Sequence, residues 1–197
     1  TTAILILNSF NMGLFLSGIF LAILIFKAIF DFLSKKKSLK IHKVLGHLAV
    51  ASLTFSVLLN HEFSKNIDFK IKPNDQVEFM GTNLIFKSAD VIQSQNFNSV
   101  VANFEVEDKG KYFNIVAEKR RYKIKGPEGN TVFTETTSET GIAPYITKDY
   151  LVVLGDLKPD GSWVVRYSIK YGIMMIWMSS CLLLLSILYG TIRRHDY

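Results

Sequence analysis

Four histidines and one cysteine are the side chains of this 197-residue sequence best suited to a soft or borderline metal ion. His42, His61 and His195 stand at the edges of apolar runs, whereas His47 lies inside one, Val44 to Leu59. A neutral imidazole in hydrocarbon needs a partner for its ring N–H, and ionisable groups at such depth are functional by default. Two partners fit. One is the iron of a haem, for which histidine is a common axial ligand; the other is a hydrogen bond to a neighbouring helix. On helical spacing, residues 47, 51 and 54 share one face, which Ala51 and Thr54 leave lean enough for a planar group. Physics alone weights the two readings equally.

The other histidines cannot complete a six-coordinate iron at His47. His42 is about 7.5 Å along the same helix and on another side, and His61 is about 21 Å away. His195 lies beyond the third apolar run. An iron held by His47 therefore predicts an opposite ligand from outside this chain. The single Cys181 rules out a disulfide framework, a thiolate zinc site or a CxxC pair within the chain. No CxxCH occurs, so no haem is attached covalently here. Cys181, mid-span, is expected to be a small packing residue rather than a thiol in use, Trp163 a core residue, and Trp177 an anchor at a membrane interface.

Three apolar runs would position His47. Met12 to Leu33, with a looser lead-in from Ala3 to Leu7, is long enough to cross about 30 Å of hydrocarbon. Lys27 and Asp31, four residues apart within it, are placed to pair or to snorkel. Val44 to Leu59 is short, but lysines precede it and Asn60, His61 and Glu62 follow it. The third run, Ile173 to Gly190, opens among Tyr167, Tyr171 and Trp177 and closes on Tyr189, Arg193 and Arg194.

The net charge of +6 belongs to these runs. Between His61 and Lys170 fifteen basic and fifteen acidic residues cancel. The excess sits in Lys35, Lys36, Lys37, Lys40 and Lys43 and in the C-terminal arginines, each cluster abutting an apolar run. That is the positive-inside pattern of a membrane protein, not a nucleic-acid footprint. Parity puts the lysine loop and Tyr197 inside, and Thr1 and residues 61 to 170 outside. An outside start without Met predicts that sequence precedes Thr1 or that the chain is one piece of a larger membrane assembly.

The outside stretch reads as β. Ile67–Ile71, Gln76–Phe79, Asn83–Phe86, Ser99–Val106, Tyr112–Ala117, Val132–Glu135, Tyr150–Leu154 and Trp163–Ile169 are eight expected strands, separated by Pro, Asn, Asp and Gly turn signals. The fold class is thus three transmembrane helices with an inserted extracytoplasmic all-β domain, a small antiparallel sandwich or barrel. The boundaries fall at 1–60, 61–170 and 171–197. This domain has no Ser/His/Asp set, since its only histidine is His61. The run Glu118-Lys119-Arg120-Arg121-Tyr122 could bind an anion such as a propionate, against the blander reading of a solvated strand.

The segment Lys43-Val-Leu-Gly-His47-Leu-Ala-Val-Ala51 resembles the histidine-bearing helix near the C-terminal end of the CcmF family, the large subunit of the cytochrome c haem lyase. Asp68 to Asp75 is similar to the entry of that family's outside β domain. Ala117 to Arg120 with Tyr122, then Glu139, Ile142, Ile146, Thr147 and Asp149, then Leu154-Gly155, then Asp160-Gly161, Trp163, Arg166 and Lys170, and lastly Ile176-Trp177, follow its pattern in order. The chain departs from it at Tyr150-Leu151, at Tyr171 and at Met174-Met175.

The resemblance implies a part in cytochrome c-type biogenesis, with His47 as an axial ligand of a membrane haem b. It implies that electrons pass from quinol through that haem to haem brought by a chaperone, ready for attachment to apocytochrome c. It also implies that the catalytic, haem-presenting segment lies in the upstream CcmF portion, so this chain is either its C-terminal fragment or a naturally split subunit. Expected partners are that remainder of the lyase, the haem chaperone and the subunits delivering apocytochrome c. The expected membrane is the bacterial or mitochondrial inner membrane. The alternative is a membrane-anchored assembly or sensor protein without haem; a simple b-type electron carrier is a further rival.

Overall fold

Apolar length sets the helical elements. The computed structural model describes residues 12–33, 41–126, 128 and 130–194, with backbone alone at 31–33 and 193–194. The Ala3–Leu7 lead-in, the lysines at 35–37 and 40, His195 and the side chains of Asp31, Arg193 and Arg194 lie outside the described residues. Three helices form, α1 (Met12–Leu33), α2 (Ile41–Phe63) and α3 (Ile173–Arg194). At 1.5 Å per residue each is about 33 Å long, enough to cross a bilayer, and all three are apolar enough to do so. α2 is longer than its apolar run because helical backbone continues through His42 and Lys43 at one end and Asn60 to Phe63 at the other.

The chain divides into two compact units, one of residues 1–64, 146–148 and 171–197, the other of 65–145 and 149–170. In the helical unit α2 is central. Its seam with α3 is built from small residues: the Ser179 hydroxyl donates to Ser52 Oγ at 2.8 Å, and the Ser186 hydroxyl to the His42 carbonyl at 2.6 Å. A Cβ on Gly46 would stand 3.0 Å from Ser186 Oγ, and one on Gly190 3.3 Å from the His42 ring. Ala49 and Ser56 are fully buried, and the Asn60 amide donates to the Tyr171 carbonyl at 2.7 Å. Small side chains and short hydrogen bonds are what hold helices together where lipid is as apolar as leucine. On the other side, Phe55 packs over Gly18 of α1.

The second unit is a β-sandwich of nine strands. One sheet has the order β1-β9-β8-β7 and the other β2-β3-β4-β5-β6. The first comprises β1 (Lys65–Ile71), β7 (Gly141–Ala143), β8 (Lys148–Leu157) and β9 (Trp163–Tyr171). The second comprises β2 (Gln76–Phe79), β3 (Thr82–Gln93), β4 (Phe97–Asp108), β5 (Lys111–Lys125) and β6 (Thr131–Glu139). Alternate residues point inward: Leu84 and Phe86, Ala102, Phe104 and Val106, and Ile115 and Ala117 meet Tyr150, Val152, Leu154, Val165, Tyr167 and Ile169. The paired rings of Phe86 and Phe104 stack at 4.6 Å.

Two buried tyrosines join the sheets through their hydroxyls. Tyr150 donates to Asp108 at 2.6 Å, and Tyr167 lies 3.1 Å from the Thr82 hydroxyl. Lys109 and Gly110, both at positive φ, turn β4 into β5. The eight expected strands are present, several of them longer than periodicity indicated. β7 is the addition, and three residues are too few to show a period. Trp163 is a correction: the indole is only half-buried at the start of β9; the Cys181 thiol is exposed on α3.

Phe104→Ala should destabilise the sandwich by roughly 3–5 kcal/mol, as large-to-small core changes do, read as a lower unfolding temperature of the detergent-solubilised chain. Gly46→Val, which overpacks the seam, should cost about 1–3 kcal/mol and loosen α2 against α3, read as faster proteolysis within the helical unit.

Candidate functional site

With α2 fixed on α3 by its small face and on α1 by Phe55, its remaining face is left open. Lys43, His47, Val50, Thr54, Val57 and His61 are all exposed. Their alternating spacing of four and three draws one stripe along the helix. Ala51 does not belong to it: at 3% exposure it is turned inward, so the expected 47/51/54 face is corrected to 47/50/54. Gly46, which adjoins His47 in sequence, faces α3. The Thr54 hydroxyl is occupied by the Val50 carbonyl at 2.9 Å, the local bond that lets a hydroxyl sit on an apolar helix.

His47 stands at the edge of this stripe nearest α1. There it lines a cleft with Val44 and Leu48 of its own helix and Leu24, Lys27 and Ala28 of α1. No described residue hydrogen-bonds its ring, so its partner is not a neighbouring helix among the described residues. The cleft is apolar except for His47 and Lys27 and encloses about 60 Å³, whereas sites for small molecules and cofactors usually enclose roughly 300–1,000 Å³. An imidazole over an apolar wall suits an axial ligand to a haem. The volume suits one wall of such a site and not a complete one. Among the described residues no three His, Cys, Asp or Glu side chains converge as a metal site.

His42 is placed differently. Its ring lies in the α2–α3 seam, 6.4 Å from that of Tyr189, with Nδ1 buried and unpartnered among the described residues. Of the stripe's two ends, Lys43 and His61 stand beyond the apolar stretch that contains His47.

The basic run of β5 is committed internally. Lys119 pairs with Asp156 of β8, and Arg120 binds Glu118 at 2.7 Å while lying 5.0 Å over the Phe97 ring. Arg121 stacks over Phe133 at 5.7 Å. The hydrogen bond that Arg120 donates to Glu118 holds the guanidinium pKa above its ordinary value. Cations matched this way are a strand face rather than an anion site. Sequence spacing did not reveal the bidentate pair between Arg166 of β9 and Asp68 of β1, at 2.7 and 2.9 Å. These residues are 98 positions apart and meet only through strand register.

Residues 62–171 match the family described as CcmF C-terminal beta-sandwich. The chain belongs to that family. Across 140 residues it is 29% identical to the cytochrome c-type biogenesis protein CcmF of Pseudomonas aeruginosa, an alignment covering 71% of this chain and 20% of the relative. It is 27% identical to the Escherichia coli CcmF over 143 residues, 72% and 21% of the two chains. The Rhodobacter capsulatus biogenesis protein ccl1 is 29% identical over 114 residues, 57% and 16%. The chain thus spans about a fifth of the length of the CcmF relatives it matches. A solved cytochrome c heme lyase CcmF shares the fold, with a TM-score of 0.65 at 14% identity, over 91% of this chain and 30% of that one.

The Asp68–Arg166 pair gives the CcmF sandwich a defined acid response. The guanidinium hydrogen bond holds the Asp68 carboxyl below its ordinary pKa of 3.8. A carboxyl lowered by folding adds stability above its ordinary pKa and loses it as pH falls through the lowered one. Arg166→Gln should therefore reduce the unfolding temperature modestly at pH 7. The gap to the unsubstituted protein should close below pH 4, which thermal scans between pH 3 and 7 would check.

Proposed function

We propose that this chain is the C-terminal part of a haem lyase in cytochrome c maturation, and that His47 supplies one axial ligand to a b-type haem in the membrane. The observation that carries the reading is the imidazole on the open stripe of α2, unpartnered among the described residues and beside an apolar cleft too small to be a whole site. Family membership and the names of the relatives supply the reaction class.

In this reading Val44, Leu48, Leu24 and Ala28 form the apolar wall beside the imidazole. The opposite ligand and the other walls come from outside the chain, as does the segment that joins haem to apocytochrome c. When bound, the haem supplies one-electron chemistry that keeps the cargo haem competent for attachment, with quinol as the electron source. The α1–α2 loop faces the cytoplasm or matrix, following its lysines. The sandwich, on the opposite side, acts as a docking surface for the upstream CcmF portion, the haem chaperone and the apocytochrome delivery subunits. Its Lys119, Arg120 and Arg166 side chains are paired with carboxylates and the hydroxyls of Tyr150 and Tyr167 are bound between the sheets, so docking suits it better than proton transfer.

His47→Ala in the co-purified complex should abolish the b-type α-band and the maturation of cytochrome c, while the complex still inserts and its sandwich still resists protease. A band that persists unchanged would overturn the assignment and leave a membrane-anchored assembly protein without haem at this site.

A further inference from the structure

We infer that Lys27 is the counter-cation of a haem propionate at the His47 site. The inference rests on the reading that His47 ligates a haem. α1 and α2 run antiparallel, and Lys27 and His47 each lie six residues from the loop-side ends of their helices, about 9 Å in from those ends. They meet as the two polar members of one otherwise apolar cleft.

An ammonium at that depth is costly unless paired or drawn to the interface. Lys27 is exposed, and no ion pair joins it to any described residue. The Asp31 side chain, which lies outside the described residues, is the one intrachain rival that helical spacing offers. A haem brings the complementary need, because its propionates are anions that must be neutralised in an apolar layer. One cleft thus offers a donor for iron and a cation for the macrocycle's edge. This pairing fixes how the ring is turned about the His47–iron axis, which an axial bond alone leaves free.

Redox titration of the intact complex tests it. Ferric haem carries one more positive charge than ferrous haem, so a nearby cation disfavours oxidation. Lys27→Gln should lower the b-haem midpoint potential by roughly tenfold in the ferric/ferrous equilibrium, about 59 mV for a one-electron couple. Lys27→Arg should restore it, and Asp31→Asn should leave it unchanged.

If Lys27→Gln fails to retain haem, the apo-complexes are titrated with haem and with haem dimethyl ester. The substitution should weaken binding of the free acid about tenfold and leave that of the ester unaltered. An unchanged potential, a potential that follows Asp31 rather than Lys27, or equal weakening of acid and ester overturns the propionate pairing while leaving His47 as ligand. Absence of any b-type band from the unsubstituted complex removes the haem reading itself.

Discussion

The small-residue seam between α2 and α3 is the constraint on which the candidate site depends. A helix can rotate about its axis at little cost in a uniform apolar medium, since every apolar face is equally content against lipid. Gly46, Ser52, Ala49 and Ser56 end that freedom. Ser179 and Ser186 reach hydrogen-bonding partners only when those residues face α3. Once that face is spent, and Phe55 has found Gly18, geometry leaves Lys43, Val50, Thr54, Val57 and His61 on the open face and His47 at its edge beside α1. The orientation of His47 is thus set by residues that never touch it. A bulky side chain at Gly46 would disturb the site from the opposite side of the helix.

The β-sandwich follows a different economy. Its interior is apolar apart from tyrosine hydroxyls and short polar side chains, and the two largest buried side chains, Tyr150 and Tyr167, each reach the opposite sheet through an oxygen. Such bonds favour one sheet-to-sheet alignment over its neighbours, because a shift by one residue would bury an unsatisfied hydroxyl at a cost of about 1–3 kcal/mol. Outside the core, Lys119–Asp156, Arg120–Glu118 and Arg166–Asp68 neutralise charge locally. At these pairs the surface settles its own charges through strand register and neighbouring side chains.

The parts of this fold legible in the sequence were those with a long period or a strong local signal. Twenty-residue apolar runs announced three helices, and Asp108-Lys109-Gly110 announced a hairpin. Strand ends were less legible. β5 runs on through Lys119 to Lys125 although charges there conceal the alternation, because cation–ring stacking, Glu118 on the same strand and Glu139 across on β6 support that half. β7 was invisible: Gly141 is held by its fit against the Val116 carbonyl, where any side chain would collide. His47 stood out because an imidazole is conspicuous among aliphatic residues. Its face was misjudged at Ala51, since helical spacing gives neighbours on the cylinder but not the direction in which another helix will dock. Spacing marks Lys27 as a charge placed to pair or to snorkel, but its meeting with His47 depends on how α1 lies against α2.

Incompleteness is itself informative about the helical unit. A stripe bearing Lys43, His47 and Thr54 is a poor surface to offer to acyl chains along its whole length, and only Thr54 is satisfied locally, by its own helix. Serine and threonine can fold back onto an i−4 carbonyl in this way; an imidazole and an ammonium cannot. Among the described residues the deeper two polar groups of the cleft, His47 and Lys27, have no partner, and in the proposed reading one molecule that offers both an electrophilic metal and an anionic edge would meet both needs at once. A helix surface packing against this face would answer the imidazole with a hydrogen bond but would need a buried carboxylate for the ammonium as well. That is two matched polar groups on a partner, where a single amphipathic cofactor suffices.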